Sequence, residues 1–200
     1  MRIGVLALQG DVREHLRSLE AAGAEAVEIR TPGELNGLDG LVIPGGESTT
    51  VGKLLVKGQV DQAIKRFVGQ GGAVFGTCAG LILMSRSING SEQPRLGLMD
   101  LQVDRNAYGR QINSFEAELS IPALGKQMFH GVFIRAPQIA TVGQGVQVLG
   151  EFAGRPILVR QGRLLAAAFH PELTDDLRVH RYFLSLAAGG SADRDPAMKG

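Results

Sequence analysis

The sequence contains one cysteine in 200 residues and no tryptophan. A single cysteine cannot close an intrachain disulfide, so a stapled secreted scaffold is excluded. Structural zinc of the Cys₄ or Cys₂His₂ kind is excluded for the same reason. Net charge is nearly absent as well: 21 Lys and Arg stand against 20 Asp and Glu, leaving +1. That balance carries no footprint of nucleic-acid or anionic-membrane binding. Long apolar runs are missing. Val5 to Leu8 and Leu164 to Phe169 fall far short of the roughly 20 residues of a membrane-spanning helix. The opening Met-Arg-Ile-Gly-Val-Leu-Ala-Leu reads as a strand without a small-residue cleavage site. A cytoplasmic, reducing compartment is therefore expected. The lone cysteine is then either buried filler or a nucleophile, and its context decides.

What is present is the patterning of one globular domain. The composition is 44% hydrophobic, and the length suits a single domain at about 150 residues per domain. Ile3 to Leu8 is a continuous apolar run, as in a strand buried on both faces. Asp11 can cap a following helix, in which Val12, Leu16 and Leu19 recur at helical spacing and Gly23 stands at the C-terminal stop. Strands follow at Ala26 to Ile29, Leu41 to Ile43 and Ala73 to Phe75. Helical patterning between the last two runs from Ser48 to about Val68, with a break at Gly58. The alternation predicts an α/β fold: one three-layer domain with a mainly parallel central sheet flanked by helices. The second half is strand-rich, with candidate strands at Leu98–Val103, Phe115–Ile121, Val132–Arg135, Val146–Leu149, Ile157–Val159 and Leu164–Phe169, and some antiparallel additions to the sheet are expected. A last helix carries Leu177, Phe183, Leu184 and Leu186. Residues 1–188 are read as the domain and 189–200, rich in Gly, Asp and Ala, as a disordered tail.

Sites in open α/β sheets form beyond the carboxyl ends of the strands. Four such ends are conspicuous: Gln9-Gly10-Asp11, Pro44-Gly45-Gly46-Glu47-Ser48, Gly76-Thr77-Cys78-Ala79-Gly80 and His170-Pro171-Glu172. Gly-x-Cys-x-Gly between a buried strand and an apolar helix matches the nucleophile elbow, with sulfur in place of oxygen. The helix beginning at Ala79 points free N–H groups and its positive end at the sulfur, which favours thiolate. An unassisted thiol of pKa about 8.5 is only about 3% ionised at pH 7.

Of the four histidines, His170 stands out. It ends an apolar run, Pro171 forbids helix after it, and an extended path would put Glu172 on the same face to orient the ring. His15 and His180 read as solvated or half-buried helix positions, and His130 as a loop residue. Gly46 and the N–H of Ala79 are the expected oxyanion donors, each worth on the order of 3 kcal/mol. A P-loop fails on spacing, with five residues between Gly46 and Gly52 and Leu54 where Ser or Thr belongs. There is neither a dinucleotide fingerprint nor a histidine pair at metal spacing, so neither a cofactor nor a metal is expected.

These residues match a family. The cysteine elbow with the downstream His170-Pro171-Glu172 resembles the class I, triad-type glutamine amidotransferases. Within them the chain is most similar to the glutaminase subunits of pyridoxal 5′-phosphate synthases. The segments that carry the likeness are Gly4-Val5-Leu6-Ala7-Leu8-Gln9-Gly10-Asp11-Val12-Arg13-Glu14-His15, Pro44 to Thr50, Arg105-Asn106 with Tyr108-Gly109-Arg110-Gln111, Ser114-Phe115-Glu116, Phe133 to Pro137 and His170 to Leu173. They span nearly the whole chain.

The resemblance implies Cys78 as nucleophile, His170 as general base and acid, and Glu172 as its orienting carboxylate. It implies a glutamine site lined by Gly46, Glu47, Ser48, Arg105, Ile134 and Arg135, with Gln9 close to the oxyanion loop. Residue chemistry agrees for the arginines, whose forks bind carboxylates such as that of free glutamine, although surface salt bridging explains most arginines equally well. The implied partner is a barrel-type synthase subunit, within a large hetero-oligomer, that condenses a pentose phosphate, a triose phosphate and ammonia. Two other readings stay open: a glutaminase feeding another synthase, such as one in histidine biosynthesis, and a redox or hydrolytic cysteine for which glutamine is irrelevant.

Overall fold

The structure is a computed structural model that describes residues 1–105 and 114–189. The first half winds as β1 (Arg2–Leu6), α1 (Val12–Ala21), β2 (Glu25–Ile29), β3 (Gly40–Ile43), α2 (Ser48–Lys57), α3 (Val60–Gly69), β4 (Ala73–Thr77) and α4 (Ala79–Met84). The second half adds β5 (Ser85–Ile88), β6 (Met99–Asp104), β7 (Ser114–Leu119), β8 (Phe129–Ile134), β9 (Gln138–Val142), β10 (Gln147–Phe152), β11 (Arg155–Gln161), β12 (Leu164–Ala167) and α5 (Arg178–Ala187). The break at Gly58 falls between α2 and α3. Gly23 closes α1 with a positive φ of 95° and an N–H bonded back to the Glu20 carbonyl.

The main sheet has seven strands in the order β10-β11-β12-β4-β3-β1-β2. From β12 to β2 every pairing is parallel, and the β10–β11 hairpin is added antiparallel at the β12 edge. The central parallel strands β1, β3 and β4 are buried on both faces, as the unbroken apolar runs Ile3 to Leu6, Leu41 to Ile43 and Val74-Phe75 require. Helices α1 and α5 pack together, while α2 packs against α3 and α4. Phe75, Phe129, Phe133, Phe169 and Phe183 are fully buried in the core they enclose. Two smaller sheets complete the fold, β5-β6-β9 and the antiparallel pair β7-β8. Among the described residues no helix is long and apolar enough to cross a membrane.

Several sequence expectations need correcting. β5 and β9 are missed altogether, because Ser85-Arg86-Ser87-Ile88 is short and polar and β9 follows a proline. His130 is no loop residue. It lies in β8 and points outward while its neighbours Phe129 and Gly131 point in, and it bonds Glu118 and Glu116 across the β7–β8 pair, both at 2.9 Å. His15 and His180 are not solvated: both are completely buried.

Candidate active site

The strand order explains how four distant segments meet. β12, β4, β3 and β1 are consecutive and parallel, so their carboxyl ends lie along one edge of the sheet. Backbone hydrogen bonds then tie the segments together. The Asp11 N–H donates to the Gly45 carbonyl (3.3 Å) and the Cys78 N–H to the Ala167 carbonyl (2.9 Å). The Gly45 N–H donates to Thr77 Oγ1 at 3.1 Å.

Cys78 sits between β4 and α4 at φ 49°, ψ −103°, in the sparsely populated positive-φ region that an elbow demands. The flanking glycines are steric necessities. A Cβ on Gly76 would lie 2.6 Å from the Gly80 carbonyl carbon and from Met84 Sδ, and one on Gly80 would lie 2.1 Å from the Ile43 carbonyl oxygen. The thiol faces the Ile134 carbonyl oxygen at 3.7 Å. Cys78 itself is buried, with only 8% of its surface exposed.

His170 follows β12 by three residues, and its ring is held from one side. Nδ1 lies 2.8 Å from Glu172 Oε1 and 3.3 Å from Asp11 Oδ2. The His170–Glu172 pairing is as expected, but its cause is not an extended path: Pro171–Leu173 form a 3₁₀ turn that folds the carboxylate back onto the ring. Burial disfavours charging His170, but hydrogen bonds from the charged ring to Asp11, Cys78 and Glu172 outweigh it and raise the pKa to about 12. Burial raises Glu172 above the usual carboxylate range, with the His170 contact opposing that shift. The pair therefore holds a shared proton on the ring at neutral pH. Nε2 of His170 is buried and makes no hydrogen bond of ordinary geometry, which leaves it available to the thiol that contributes to its shift.

A cleft of about 230 Å³ opens over these groups. It is lined by Cys78 and His170 together with Asp11, Gly46, Glu47, Ser48, Ile82, Arg105, Ile134 and Arg135. All six residues expected to contact glutamine are thus present on its wall. Larger clefts elsewhere, such as one of about 400 Å³ around Asp39 and Arg163, hold no comparable chemistry.

Glu47 has a task the sequence reading did not assign. It caps α2, accepting from the N–H groups of Thr49 (3.1 Å) and Thr50 (2.8 Å) and from the Thr50 hydroxyl. Burial works against ionisation, yet these hydrogen bonds lower its pKa to about 2. Arg105 contacts the same carboxylate at 3.3 Å. Gln9 is close to the glycine loop, where its Oε1 accepts from the Glu47 N–H at 2.9 Å. Arg135 is exposed and has a φ of 43°, an unusual conformation that re-aims the chain just after Ile134. Ala79 opens α4 directly after the nucleophile. The stretch Asn106 to Gln111 lies outside the described residues.

Sequence reasoning gave the Asp11 and Thr77 side chains no role in the site, although both stand in conspicuous strand ends, and it missed His15 and His180. Asp11, expected to cap a helix at a conspicuous strand end, makes no side-chain cap bond and turns its carboxylate to His170 instead. His15 Nε2 lies 3.0 Å from Thr77 Oγ1 and 3.4 Å from Glu172 Oε2, and its Nδ1 lies 3.2 Å from His180 Nε2. Asp11, His170 and Glu172 also form the one described grouping with ligand atoms close enough to hold a metal, within 4.8 Å of one another. Their atoms already share the ring proton, and a nitrogen that carries N–H cannot ligate.

Known proteins resemble this chain over almost its full length. A curated protein of Pelotomaculum thermopropionicum, "Pyridoxal 5'-phosphate synthase subunit PdxT", is 60% identical over 92% of this chain and 94% of its own length. One of the same name from Moorella thermoacetica is 56% identical over 93% and 99%. A solved structure described as a glutamine amidotransferase superposes with a TM-score of 0.89 at 52% identity, covering 93% of this chain and 98% of its own. Residues 5–188 match the model of the SNO glutamine amidotransferase family, and the chain belongs to that family.

Proposed function

We propose that this chain hydrolyses L-glutamine to L-glutamate and ammonia, and delivers the ammonia to a partner synthase subunit that makes pyridoxal 5′-phosphate from a pentose phosphate and a triose phosphate. The observation that carries the reading is the meeting of an elbow cysteine with a carboxylate-held histidine in one small cleft. The names of the near-full-length relatives support the partner and the product. The partner would be a barrel-type synthase within a large hetero-oligomer. The thiol nucleophile suits a cytoplasmic setting, with residues 1–188 as the working unit and 189–200 as a tail.

In this mechanism the Cys78 sulfur attacks the side-chain amide carbon of glutamine. The carbonyl electrons move to oxygen, which the N–H groups of Gly46 and Ala79 receive. His170, charged at neutral pH, gives its Nε2 proton to the leaving nitrogen as the C–N bond breaks. Ammonia departs and a glutamyl thioester remains. His170, now neutral, takes a proton from water as the water oxygen attacks the thioester. Collapse of the second tetrahedral intermediate breaks the C–S bond and releases glutamate. Throughout, Glu172 holds Nδ1–H, fixing tautomer and orientation as the acid of a triad does. Arg105 and Arg135 would bind the substrate α-carboxylate. Ser48 and Ile134 wall the cleft around it. Glu47, already engaged by α2 and Arg105, would position Arg105 as well as face the α-ammonium.

The test uses the full chain with its synthase partner. Cys78→Ala is expected to lower glutamate release by at least about 1,000-fold. Pyridoxal phosphate formation from added ammonium salt should persist in the same complex. Retained glutamate release would end the reading. A redox-sensing cysteine has no use for the His170–Glu172 pair, and it would give the same thiol modification with or without glutamine present.

A further inference from the structure

Behind the triad carboxylate lies a second layer of polar groups that the mechanism above does not use. Glu172 offers Oε1 to His170, but Oε2 is buried with no hydrogen-bond partner of ordinary geometry. A buried carboxylate oxygen left without a donor is expensive. His15 Nε2 lies 3.4 Å from it. His15 comes from α1, and behind it His180 comes from α5, so the stack joins two helices to the turn that holds the triad acid. All three residues are buried, and His15 and His180 have no exposed surface.

Two proton registers are open to this stack. Burial, then His180 and His170, keep His15 well below its ordinary pKa, and burial lowers His180 to about 4. Both rings are therefore neutral, each with a single N–H. In the first register His180 donates from Nε2 to His15 Nδ1, and His15 donates from Nε2 toward Glu172 and Thr77. The ring nitrogen left over is His180 Nδ1, an acceptor. In the second register His15 donates from Nδ1 to His180 Nε2. His15 Nε2 then accepts from the Thr77 hydroxyl at 3.0 Å, Glu172 Oε2 is left without a donor, and His180 must bury an unpartnered N–H at Nδ1. Orphaned buried N–H groups are rarer than orphaned acceptors, and the second register also leaves the buried Glu172 Oε2 with no donor. The first register wins on both counts.

We infer that His15 is a positioning residue: its Nε2–H, set by His180, holds Glu172 ionised and aimed at His170. This rests on the triad reading. The titratable groups around the stack are Asp11 before α1, His170 and Glu172 in the turn, Cys78 after β4 and His180 on α5. Thr77 adds a hydroxyl that also receives the Gly45 N–H at 3.1 Å, so the stack touches the glycine loop as well.

Ring ¹⁵N spectra of the full-length wild-type chain give the direct test, since only four histidines need assigning. The expected result is a neutral His15 with its proton on Nε2 from pH 6 to 8. A proton on Nδ1 overturns the inference, and no variant has to fold for that measurement. The kinetic test compares two variants in the complex with the synthase partner. A glutamine amide nitrogen reaches where Nε2 sits, whereas leucine fills the space without a donor. His15→Leu should lower kcat for glutamine hydrolysis by about one to two orders of magnitude with KM little changed. Its acidic limb should move to higher pH, because Glu172 without its donor protonates more readily. His15→Gln should recover most of kcat and the original limb. Wild-type kcat and pH profile in His15→Leu, or no recovery in His15→Gln, overturns the inference. Absence of glutamine hydrolysis by the wild-type complex would instead overturn the triad reading, while the ring tautomer is read independently of turnover.

Discussion

Gly80→Ala tests whether close backbone packing sets the nucleophile. The added Cβ would stand 2.1 Å from the Ile43 carbonyl oxygen and 3.0 Å from its carbon, where ordinary contact begins at 3.4 Å. Neither opposing atom is a flexible side-chain end. β3 is hydrogen-bonded between β1 and β4, so its carbonyl cannot swing away. The start of α4 must therefore retreat from β3 by about 1 Å. Cys78 lies two residues earlier, in the elbow that shares this backbone, and it moves with the turn. Displacing a reacting atom by about 1 Å costs on the order of 100-fold in rate. Overpacking of a tight interior adds about 1–3 kcal/mol of destabilisation, which for a domain of this size is a melting-temperature fall of roughly 2–12 °C. The assay is glutamate release by the complex, paired with thermal melts of the isolated chain. Gly69→Ala serves as control, because nothing lies within 4 Å of a Cβ there. Gly80→Ala within about threefold of wild-type activity, with an unchanged melting temperature, would refute the steric account of the elbow.

Two further predictions concern pH. Glu47 has its pKa lowered from 4.5 to about 2 in the folded chain. Its cap therefore stabilises fully above pH 4.5, and the contribution is lost as pH falls toward 2. Urea melts of Glu47→Gln should show a flatter acid dependence than wild type over that window, and identical curves would count against the cap. His180 titrates in the opposite sense to a salt-bridged histidine, with a folded pKa of about 4 against 6.5 unfolded. The unfolded chain binds the extra proton between those values, so stability falls as pH drops through the window, by about 3 kcal/mol for this group alone. His180→Phe should remove that part of the slope between pH 6.5 and 4 in denaturant titrations; an unaltered slope would mean the ring is not buried neutral.

The parts of this molecule that sequence made legible are those written in one segment. Ile3 to Leu6, Leu41 to Ile43 and Val74-Phe75 are apolar without alternation, which only a two-sided burial tolerates, and that property implies a parallel sheet. The elbow is legible because Gly76 and Gly80 meet each other and Ile43 at distances that exclude any side chain. What resisted reading depends on groups from different segments. Glu172 turns back to His170 by a 3₁₀ turn, and Asp11 reaches the same ring from another strand end. Glu47 could be seen as acidic but not as already occupied by Thr49, Thr50 and Arg105.

His15 and His180 are the instructive failures, because their burial was encoded. His15 stands three residues after Val12 and four before Leu19, and His180 three before Phe183 and four before Leu184. Both are on the apolar stripe of their helices, and charged sequence neighbours concealed it. A polar ring on a core-facing stripe cannot be left dry and unpaired. Two such stripes facing one sheet must therefore supply each other or a third buried group. Here they do both: His180 meets His15, and His15 meets the carboxylate that orients the triad histidine.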